Sequence, residues 1–444
     1  MPARLKDVEN EEVFLIKGGR PLHGEVKVAG AKNAATKMMI ASLLTDEECV
    51  LENFPRISDT LITEQLCEAL GSETRHEDST LFIKTEKIKD TQVSSLSRRN
   101  RIPILVLGPL LVRAGEAHIP VVGGDKIGAR PVDMHLESLV ALGAEIEVDS
   151  GFYRARAPHG LHGAQINLRY PSVGATENTI LASVLAKGKT VINNAAIEPE
   201  IIDIIKMLQN MGAIIELGAN RKITINGVTR LHGTRYRILP DRNEVISFAC
   251  LAVATGGDIF VGGAIQEHLI TFLNTLRRIG GEFEIKENGV RFWRGRPLSA
   301  VQIQTDTHPG FMTDWQQPFA VLLTQSAGSS IIHETVYEDR FGYTKDLNLM
   351  GANIKVSVDC LGDLVCRFKD LNHPHSAIIS GTTPLSGAKL IVPDLRAGMA
   401  HIVAALAAEG ESVLSGIHEI DRGYESIDER LQNLGADFKR VRQN

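Results

Sequence analysis

Residues 139–148 read LVALGAEIEV: an apolar helix end at Leu142, then Gly143, then an alternation of apolar and charged residues. A glycine just past the last helical turn takes the left-handed conformation that closes a helix without steric cost, and the alternation behind it is that of a half-buried strand. The same signature stands at LCEALGSE (66–73), LQNMGAIIEL (208–217), LRRIGGEFEI (276–285), LNLMGANIKV (347–356) and LQNLGADFKR (431–440). Six copies thus recur at a spacing of about 70 residues, with Gly71, Gly143, Gly212, Gly280, Gly351 and Gly435 at the turn.

Ala-rich apolar runs precede most copies, for example AATKMMIASLL (34–44), ENTILASVLAKGKTVI (177–192), EVISFACLAVATGGDIFV (244–261) and AHIVAALAAEGESVL (400–414). They predict helices buried on every side, each feeding a strand. The repeat is therefore a βαβαββ-type unit. Six of them match neither a solenoid nor an eightfold (β/α) barrel, so the expected fold class is α/β, with two domains of three units each and a ligand cleft between them. The stretch EVFLIKGGRPLHGEVKVAG (12–30) has no unit of its own to complete and is expected to pair with the C-terminal half. One domain then comprises residues 1–31 plus 239–444, and the other residues 32–238, with a mobile loop near 121–130. Two crossings of this kind make a double hinge that can close over substrates and exclude water.

The rest of the composition narrows the class. A chain of 444 residues with 43% hydrophobic and 23% charged content is an ordinary folded protein long enough for two cores. Its first residues, MPARLKDVENEEVF, lack an apolar signal core, and no run reaches the ~18 apolar residues of a membrane span, so a cytoplasmic location is expected. The net charge of -6 speaks against general nucleic-acid binding and leaves room for a local basic pocket. Cys49, Cys67, Cys250, Cys360 and Cys366 are scattered without CxxC spacing and read as reduced structural thiols. No HExxH, Walker loop, GxGxxG or metal-spaced His/Cys cluster is found, so neither a metal nor a cofactor is expected. His135 and His401 read as polar packing groups.

Four segments carry candidate chemistry. In VAGAKNAAT (28–36), Lys32 and Asn33 stand where a strand ends and a helix begins; helix-start amides with a lysine make an anion site, though a solvated lysine explains the segment alone as well. The loop PVVGGDKIGARPVDMHLE (120–137) sets Asp125, Lys126 and Arg130 among three glycines, the pattern of a lid delivering a proton donor or of a mobile surface turn. Arg130 suits bidentate contact with phosphate or carboxylate. In THPGFMTDWQQP (307–318), Asp314 precedes a helix and reads either as an N-cap or as a catalytic carboxylate. In VPDLRAGMAHIVAAL (392–406), Arg396 lies in the first turn of a buried helix, where its charge opposes the dipole, so it is expected to face an anion. Cations at helix starts in both halves suit a small ligand with several negative charges.

Beyond these segments, GGRPLHGEVKVAGAKNAA (18–35), GGDKIGARPVDMHLESLVALGAEI (123–146), PSVGATENTILAS (171–183), HPGFMTDWQQP (308–318), HETVYEDRFGY (333–343), PDLRAG (393–398) and IHEIDRGYESIDERLQNLGA (417–436) stand in the order found in one known family. The chain resembles the UDP-N-acetylglucosamine enolpyruvyltransferases over nearly its whole length. The resemblance implies two inverse α/β domains of three repeated units and transfer of the enolpyruvyl group of phosphoenolpyruvate to the sugar nucleotide's 3-hydroxyl, the first committed step of peptidoglycan synthesis. It makes Lys32, Asn33, Arg130 and Arg396 the phosphoenolpyruvate contacts. It makes Asn33, Arg101, Arg130, Pro131, Val132, Asp133, Met134, Ser172, Val173, Gly174, Asp314 and Val336 the UDP-sugar contacts. Asp314 is then the base, with Asp125, Lys32 and Arg396 as further catalytic groups and small molecules as the partners.

Two departures matter. The family usually carries Cys where this chain has Asp125, and that thiolate is the group fosfomycin alkylates, so resistance to the drug is expected; a carboxylic acid can still donate the proton. At Tyr170 some members have a lysine near the diphosphate. Competing readings keep the chemistry with a nucleoside or shikimate 3-phosphate as acceptor, or make the chain a non-catalytic UDP-sugar-binding relative; the joint presence of Lys32, Arg130, Asp314 and Arg396 speaks for catalysis.

Overall fold

Each glycine of the repeated signature closes a helix. Gly71, Gly143, Gly212, Gly280, Gly351 and Gly435 have φ of 116°, 99°, 102°, 112°, 106° and 89°, values that side chains with a Cβ rarely adopt. The helices they end are Ser58–Leu70, Asp133–Ala141, Pro199–Asn210, Ile270–Ile279, Thr344–Leu349 and Ile427–Asn433, and a strand follows each directly. The computed structural model describes residues 12–93, 102–121, 131–363 and 366–442. Arg101, Asp125, Lys126 and Arg130, all singled out in the sequence, lie outside the described residues.

The chain divides into two compact units, passing from one to the other at Val28–Ala29 and back at Pro240–Asp241. Among the described residues each unit carries three sheets; one of the six, Glu116–Pro120 with Phe152–Arg156 and Glu145–Asp149, is three-stranded with only the parallel bridge Gln92–His118 beside it, and the other five are four-stranded in one topology. The repeat Gln165–Asn226 shows it: strand Gln165–Asn167, a buried helix, the parallel strand Lys189–Asn193, an outer helix, and the hairpin Ile214–Gly218 with Lys222–Asn226, whose last strand pairs beside Lys189–Asn193. Two parallel strands need a crossover, and the buried helix supplies it.

In the unit that contains both chain ends, Glu12–Lys17 lies antiparallel between Glu411–Ser415 and Asp437–Arg442, while His23–Lys27 runs parallel to Asp258–Gly262. The N-terminal stretch thereby supplies the last strand of one repeat and the first of another. Its core is built on three helices, Arg242–Thr255, Gln316–Thr324 and Leu395–Ala407, which pack on one another and are buried along almost their whole length. Their apolar residues cover every side, so neither sheet nor solvent faces set a preferred stripe. Ile270–Ile279, by contrast, buries Phe272, Leu273, Leu276 and Ile279 and turns Arg277 and Arg278 outward.

The other unit starts with the helix Lys32–Ser42. Its inner layer comprises that helix and Val173–Ser183, both against the segment Ile102–Val106. Strand Arg235–Arg237 returns to lie parallel to Cys49–Glu52, so the end of the unit completes its first sheet.

Candidate active site

In the first unit described, the starts of the three buried helices converge, and their residues form one polar network. Asp314 sits in the single 3-10 turn Thr313–Trp315 ahead of the helix Gln316–Thr324. It does not cap that helix: Met312 and Trp315 hold the cap positions and no side-chain capping bond is made. Instead Asp314 Oδ1 accepts from Arg340 Nη2 at 2.6 Å and Oδ2 accepts from Arg396 Nε at 3.1 Å. Both arginine side chains are nearly buried, at 3% and 8% exposure, whereas Asp314 is 24% exposed and keeps a face open.

The helix-start position of Arg396 follows from its neighbours. Asp394 caps the helix, accepting from the backbone N–H of Arg396 at 2.9 Å and of Ala397 at 3.1 Å, so the dipole is met by Asp394 and the guanidinium is left to reach sideways. Burial opposes the charge on Arg396, but Asp314, the Tyr424 hydroxyl and Asp241 around it outweigh that and hold it firmly protonated. Tyr424 donates or accepts in turn with Ser247 at 2.8 Å, and burial pushes its hydroxyl up to about 12. Arg242, at the start of the third helix, is buried, lies over the Trp315 ring and contacts His308 Nδ1 at 3.4 Å.

Glu334 orders the surroundings. Fully buried, it accepts from Thr313 Oγ1 at 2.9 Å and Gln316 Nε2 at 2.7 Å on either side of Asp314. Its other oxygen accepts from the backbone N–H groups of Val336 at 2.7 Å and Tyr337 at 3.0 Å. Burial raises its carboxyl above the ordinary range against the pull of Arg340 and these hydrogen bonds. Val336, a predicted sugar contact, is thus fixed to the same carboxylate that fixes the turn of Asp314. Arg340 and Glu334 both fall inside a quoted segment, HETVYEDRFGY, but sequence reading gave neither a role, since nothing local joins them to Asp314.

The second unit holds its candidates in two groups. Lys32 opens the helix Lys32–Ser42 behind Ala31, which has no side chain able to cap it, and its Nζ lies 2.9 Å from Asp59 Oδ2. The pair is largely buried, at 14% and 7% exposure. Lys32 is therefore not a solvated helix-start lysine. Asn33 follows it, half-buried.

Pro131, Val132, Asp133 and Met134 lead into the helix Asp133–Ala141, and Ser172, Val173 and Gly174 into Val173–Ser183. Ser172 caps its helix, accepting from Ala175 N–H at 3.3 Å. The two starts meet at Gly174: a Cβ there would stand 2.8 Å from the buried His135 ring, so only glycine lets the helices approach this closely. The buried His135 ring has Asn178 Nδ2 at 3.4 Å from its Nδ1. Asp133 pairs with Arg169, which also reaches Glu137 at 2.7 Å, and Asp133 Oδ1 accepts from Met134 N–H at 2.8 Å.

Within each unit a carboxylate is held by a cation that an incoming anion can recruit, Asp314 by Arg340 and Arg396 in one and Asp59 by Lys32 in the other. In the first unit such a pairing suits proton transfer at a hydroxyl beside a phosphate.

Comparison with known proteins agrees in direction. The model of the family EPSP synthase (3-phosphoshikimate 1-carboxyvinyltransferase) matches residues 16–431. UDP-N-acetylglucosamine 1-carboxyvinyltransferase of Protochlamydia amoebophila is 49% identical over 439 residues, spanning 97% of this chain and 94% of its own. The protein of the same name from Chlamydia pneumoniae is 51% identical over 431 residues, spanning 96% and 94%. Among solved structures, the enolpyruvyl transferase NikO from Streptomyces tendae superposes with a TM-score of 0.86 at 23% identity, over 97% of this chain and 99% of its own. EPSP synthase from Acinetobacter baumannii does so with a TM-score of 0.72 at 18% identity, over 97% and 100%. At these identities the two structures speak for the fold alone.

Proposed function

The chain belongs to the EPSP synthase family of enolpyruvyltransferases, and from that premise we propose that it transfers the enolpyruvyl group of phosphoenolpyruvate to the 3-hydroxyl of UDP-N-acetylglucosamine, releasing phosphate. The observation that carries the choice of acceptor is identity near one half, over almost the full length, with relatives named for that sugar nucleotide. Peptidoglycan synthesis and a cytoplasmic location belong to the same reading. In keeping with the latter, no helix among the described residues is long and apolar enough to cross a membrane.

Asp314 takes the role of base. The sugar's 3-hydroxyl oxygen bonds to C2 of phosphoenolpyruvate as Asp314 accepts its proton and C3 gains a proton from an acid, giving a tetrahedral ketal. Loss of a proton from C3 with cleavage of the C2–O bond to phosphorus leaves the enolpyruvyl ether and inorganic phosphate. Asp125 is the proposed acid. Arg396 and Lys32 stabilise the phosphate as its charge develops, and Arg130 joins them.

The resting pairs suggest how binding prepares the chemistry. Arg396 is parked on Asp314 Oδ2 and Lys32 on Asp59. When a phosphate arrives, Arg396 exchanges the carboxylate for a phosphate oxygen, freeing Oδ2 for the hydroxyl proton, while Arg340 keeps Oδ1 in place. The anion thus both draws its own counter-charge and uncovers the base. The sugar contacts proposed are Asn33, Arg101, Arg130 to Met134, Ser172 to Gly174, Asp314 and Val336.

The test is acceptor choice. Phosphate release from phosphoenolpyruvate should require UDP-N-acetylglucosamine and should not be supported by shikimate 3-phosphate; efficient turnover with the latter would move the chain to the family's other named reaction.

A further inference from the structure

The repeat ending at Gly381 joins its last two strands differently from its neighbours. In the hairpins Glu73–Lys84, Glu145–Arg156, Ile214–Asn226 and Gly281–Arg294 the strands are joined by two or three residues. Between Ile354–Ser357 and Ser376–Gly381 the sequence instead runs VDCLGDLVCRFKDLNHPH, residues 358–375. A connection this long, with no strand or helix among its described residues, needs an anchor or a function. It carries Cys360, Cys366 and His375, and it returns to the strand register at Ser376, the residue opposite His333.

These residues converge. One ligating atom from each of His333, Cys360, Cys366 and His375 can be chosen so that all four lie within 4.8 Å of one another. His333, Cys366 and His375 are buried, at 0%, 6% and 0% exposure, and Cys360 stands at the exposed edge. The sequence shows no metal spacing because the ligands come from a strand end and from points 6 and 9 residues apart on the insertion (366 − 360 and 375 − 366).

Hydrogen bonds fix which ring nitrogen each histidine presents. Ser376 Oγ donates to the Asp359 carbonyl at 2.6 Å, and it accepts from His333 Nδ1–H at 2.9 Å. His333 Nε2 is then a bare lone pair, and it has no partner although it is wholly buried. His375 Nδ1–H donates to the His373 carbonyl at 2.6 Å, which leaves its Nε2 as a lone pair 3.2 Å from Cys360 Sγ. Holding the far nitrogen to an oxygen is how proteins orient ligating imidazoles. The Cys366 sulfur accepts from the Phe368 backbone N–H at 3.3 Å, a bond that suits a thiolate. Gly362 lies between the cysteines with its backbone against the His333 ring, where a Cβ would stand 2.3 Å from Cδ2.

We propose that His333, Cys360, Cys366 and His375 form a structural zinc site that pins the insertion to its sheet. Two imidazoles and two thiolates are the donor set zinc prefers in closed tetrahedral sites. Such a site has ligand-to-ligand edges of about 3.3–3.8 Å, so the side chains close by about 1 Å around the ion. Binding releases the two thiol protons, and the resulting site carries no net charge. The insertion reaches the reading of function at one point: Arg367, next to Cys366, donates to the Val336 carbonyl and pairs with Glu338 at 3.7 Å. The site therefore also steadies the turn that bears Val336.

The test uses the untagged full-length chain, purified without chelator. Elemental analysis after gel filtration should find about one zinc ion per chain, bound by the N/S donors that tetrahedral zinc prefers, and the double variant Cys360→Ser, Cys366→Ser should lose it. Should that variant fold poorly, cobalt added to the wild-type apo chain gives a second measure: thiolate-to-cobalt charge-transfer bands with tetrahedral d–d absorption are expected. Alkylation followed by peptide mass analysis should show Cys360 and Cys366 protected until the metal is stripped. A metal-free wild type whose cobalt spectrum lacks thiolate bands, equal zinc in wild type and variant, or a Cys360–Cys366 disulfide would overturn the proposal. None of these readouts depends on enzymatic activity, so they stand or fall apart from the proposed reaction.

Discussion

Arg396 Nε donates to Asp314 Oδ2 at 3.1 Å across 82 residues of sequence, with the arginine side chain 8% and the aspartate 24% exposed. Both carboxylate oxygens are thus held by arginines, and the side chain keeps part of its surface accessible. Asp314→Asn is accordingly expected to abolish phosphate release while phosphoenolpyruvate and the UDP-sugar still bind in calorimetric titrations, since the amide keeps the shape and loses the base. A variant turning over at a near-normal rate would reduce Asp314 to an anchor for Arg340 and Arg396.

Lys32→Ala and Arg396→Ala should each lower kcat by at least ~10-fold, because a cation facing developing phosphate charge contributes a few kcal/mol. Asp59→Asn separates that role from simple pairing: it leaves Lys32 in place without its parking site at 2.9 Å and should retain activity far better than Lys32→Ala. Unchanged rates in both alanine variants would mean that the anion site lies elsewhere.

How far the sequence could be read depended on the range of the interaction. The six helix ends were legible because a glycine with positive φ is a local requirement, met within ten residues each time. A second glycine series, Gly115, Gly188, Gly256, Gly328 and Gly410, also has positive φ at or just before the start of the strand that follows each buried helix, and Gly188, Gly256 and Gly410 fall inside the Ala-rich runs read as helices feeding strands. In the two units, Lys32 on one side and Asp314 and Arg396 on the other were legible as charges at helix starts. Their partners Asp59 and Arg340 were not, nor was Glu334, which bonds the residues on either side of Asp314, since only the fold brings them within reach. The same holds for the His333, Cys360, Cys366 and His375 cluster, where the absence of CxxC spacing had pointed away from metal. A cap and a catalytic carboxylate look alike before a helix; in the structure Asp314 makes no capping bond and pairs with two arginines instead.

Glu177 predicts a pH dependence of stability. It is wholly buried, which pushes its carboxyl up to about 7 from 4.5, with Lys37 opposing and Glu200 and Glu198 adding to the rise. Between those values the folded chain binds more protons than the unfolded one. The stability due to neutral Glu177 is therefore present in full below about pH 4.5 and lost as pH rises through about 7, a loss of about 3 kcal/mol. Thermal melts from pH 5 to 8 should show the wild type falling relative to Glu177→Gln. Parallel curves for the two proteins would contradict the assignment.

Asp125 bears on drug response. Fosfomycin is an epoxide that needs a strong, soft nucleophile, and a carboxylate is far weaker than a thiolate, so covalent inactivation should be negligible. Asp125→Cys should gain time-dependent inactivation with a single adduct on its peptide, whereas Asp125→Ala should slow turnover by removing the proton donor. Rapid inactivation of the wild type, or normal turnover of Asp125→Ala, would assign the proton to another residue.

The most direct measurement follows both products at once in the chain supplied with phosphoenolpyruvate and UDP-N-acetylglucosamine. Phosphate and the vinyl ether of the sugar nucleotide, identified by its methylene protons in solution NMR, should appear in equal amounts, and neither should form when either substrate is omitted. Phosphate released without the sugar nucleotide, or no vinyl ether with both substrates present, would contradict the transfer on which the account rests.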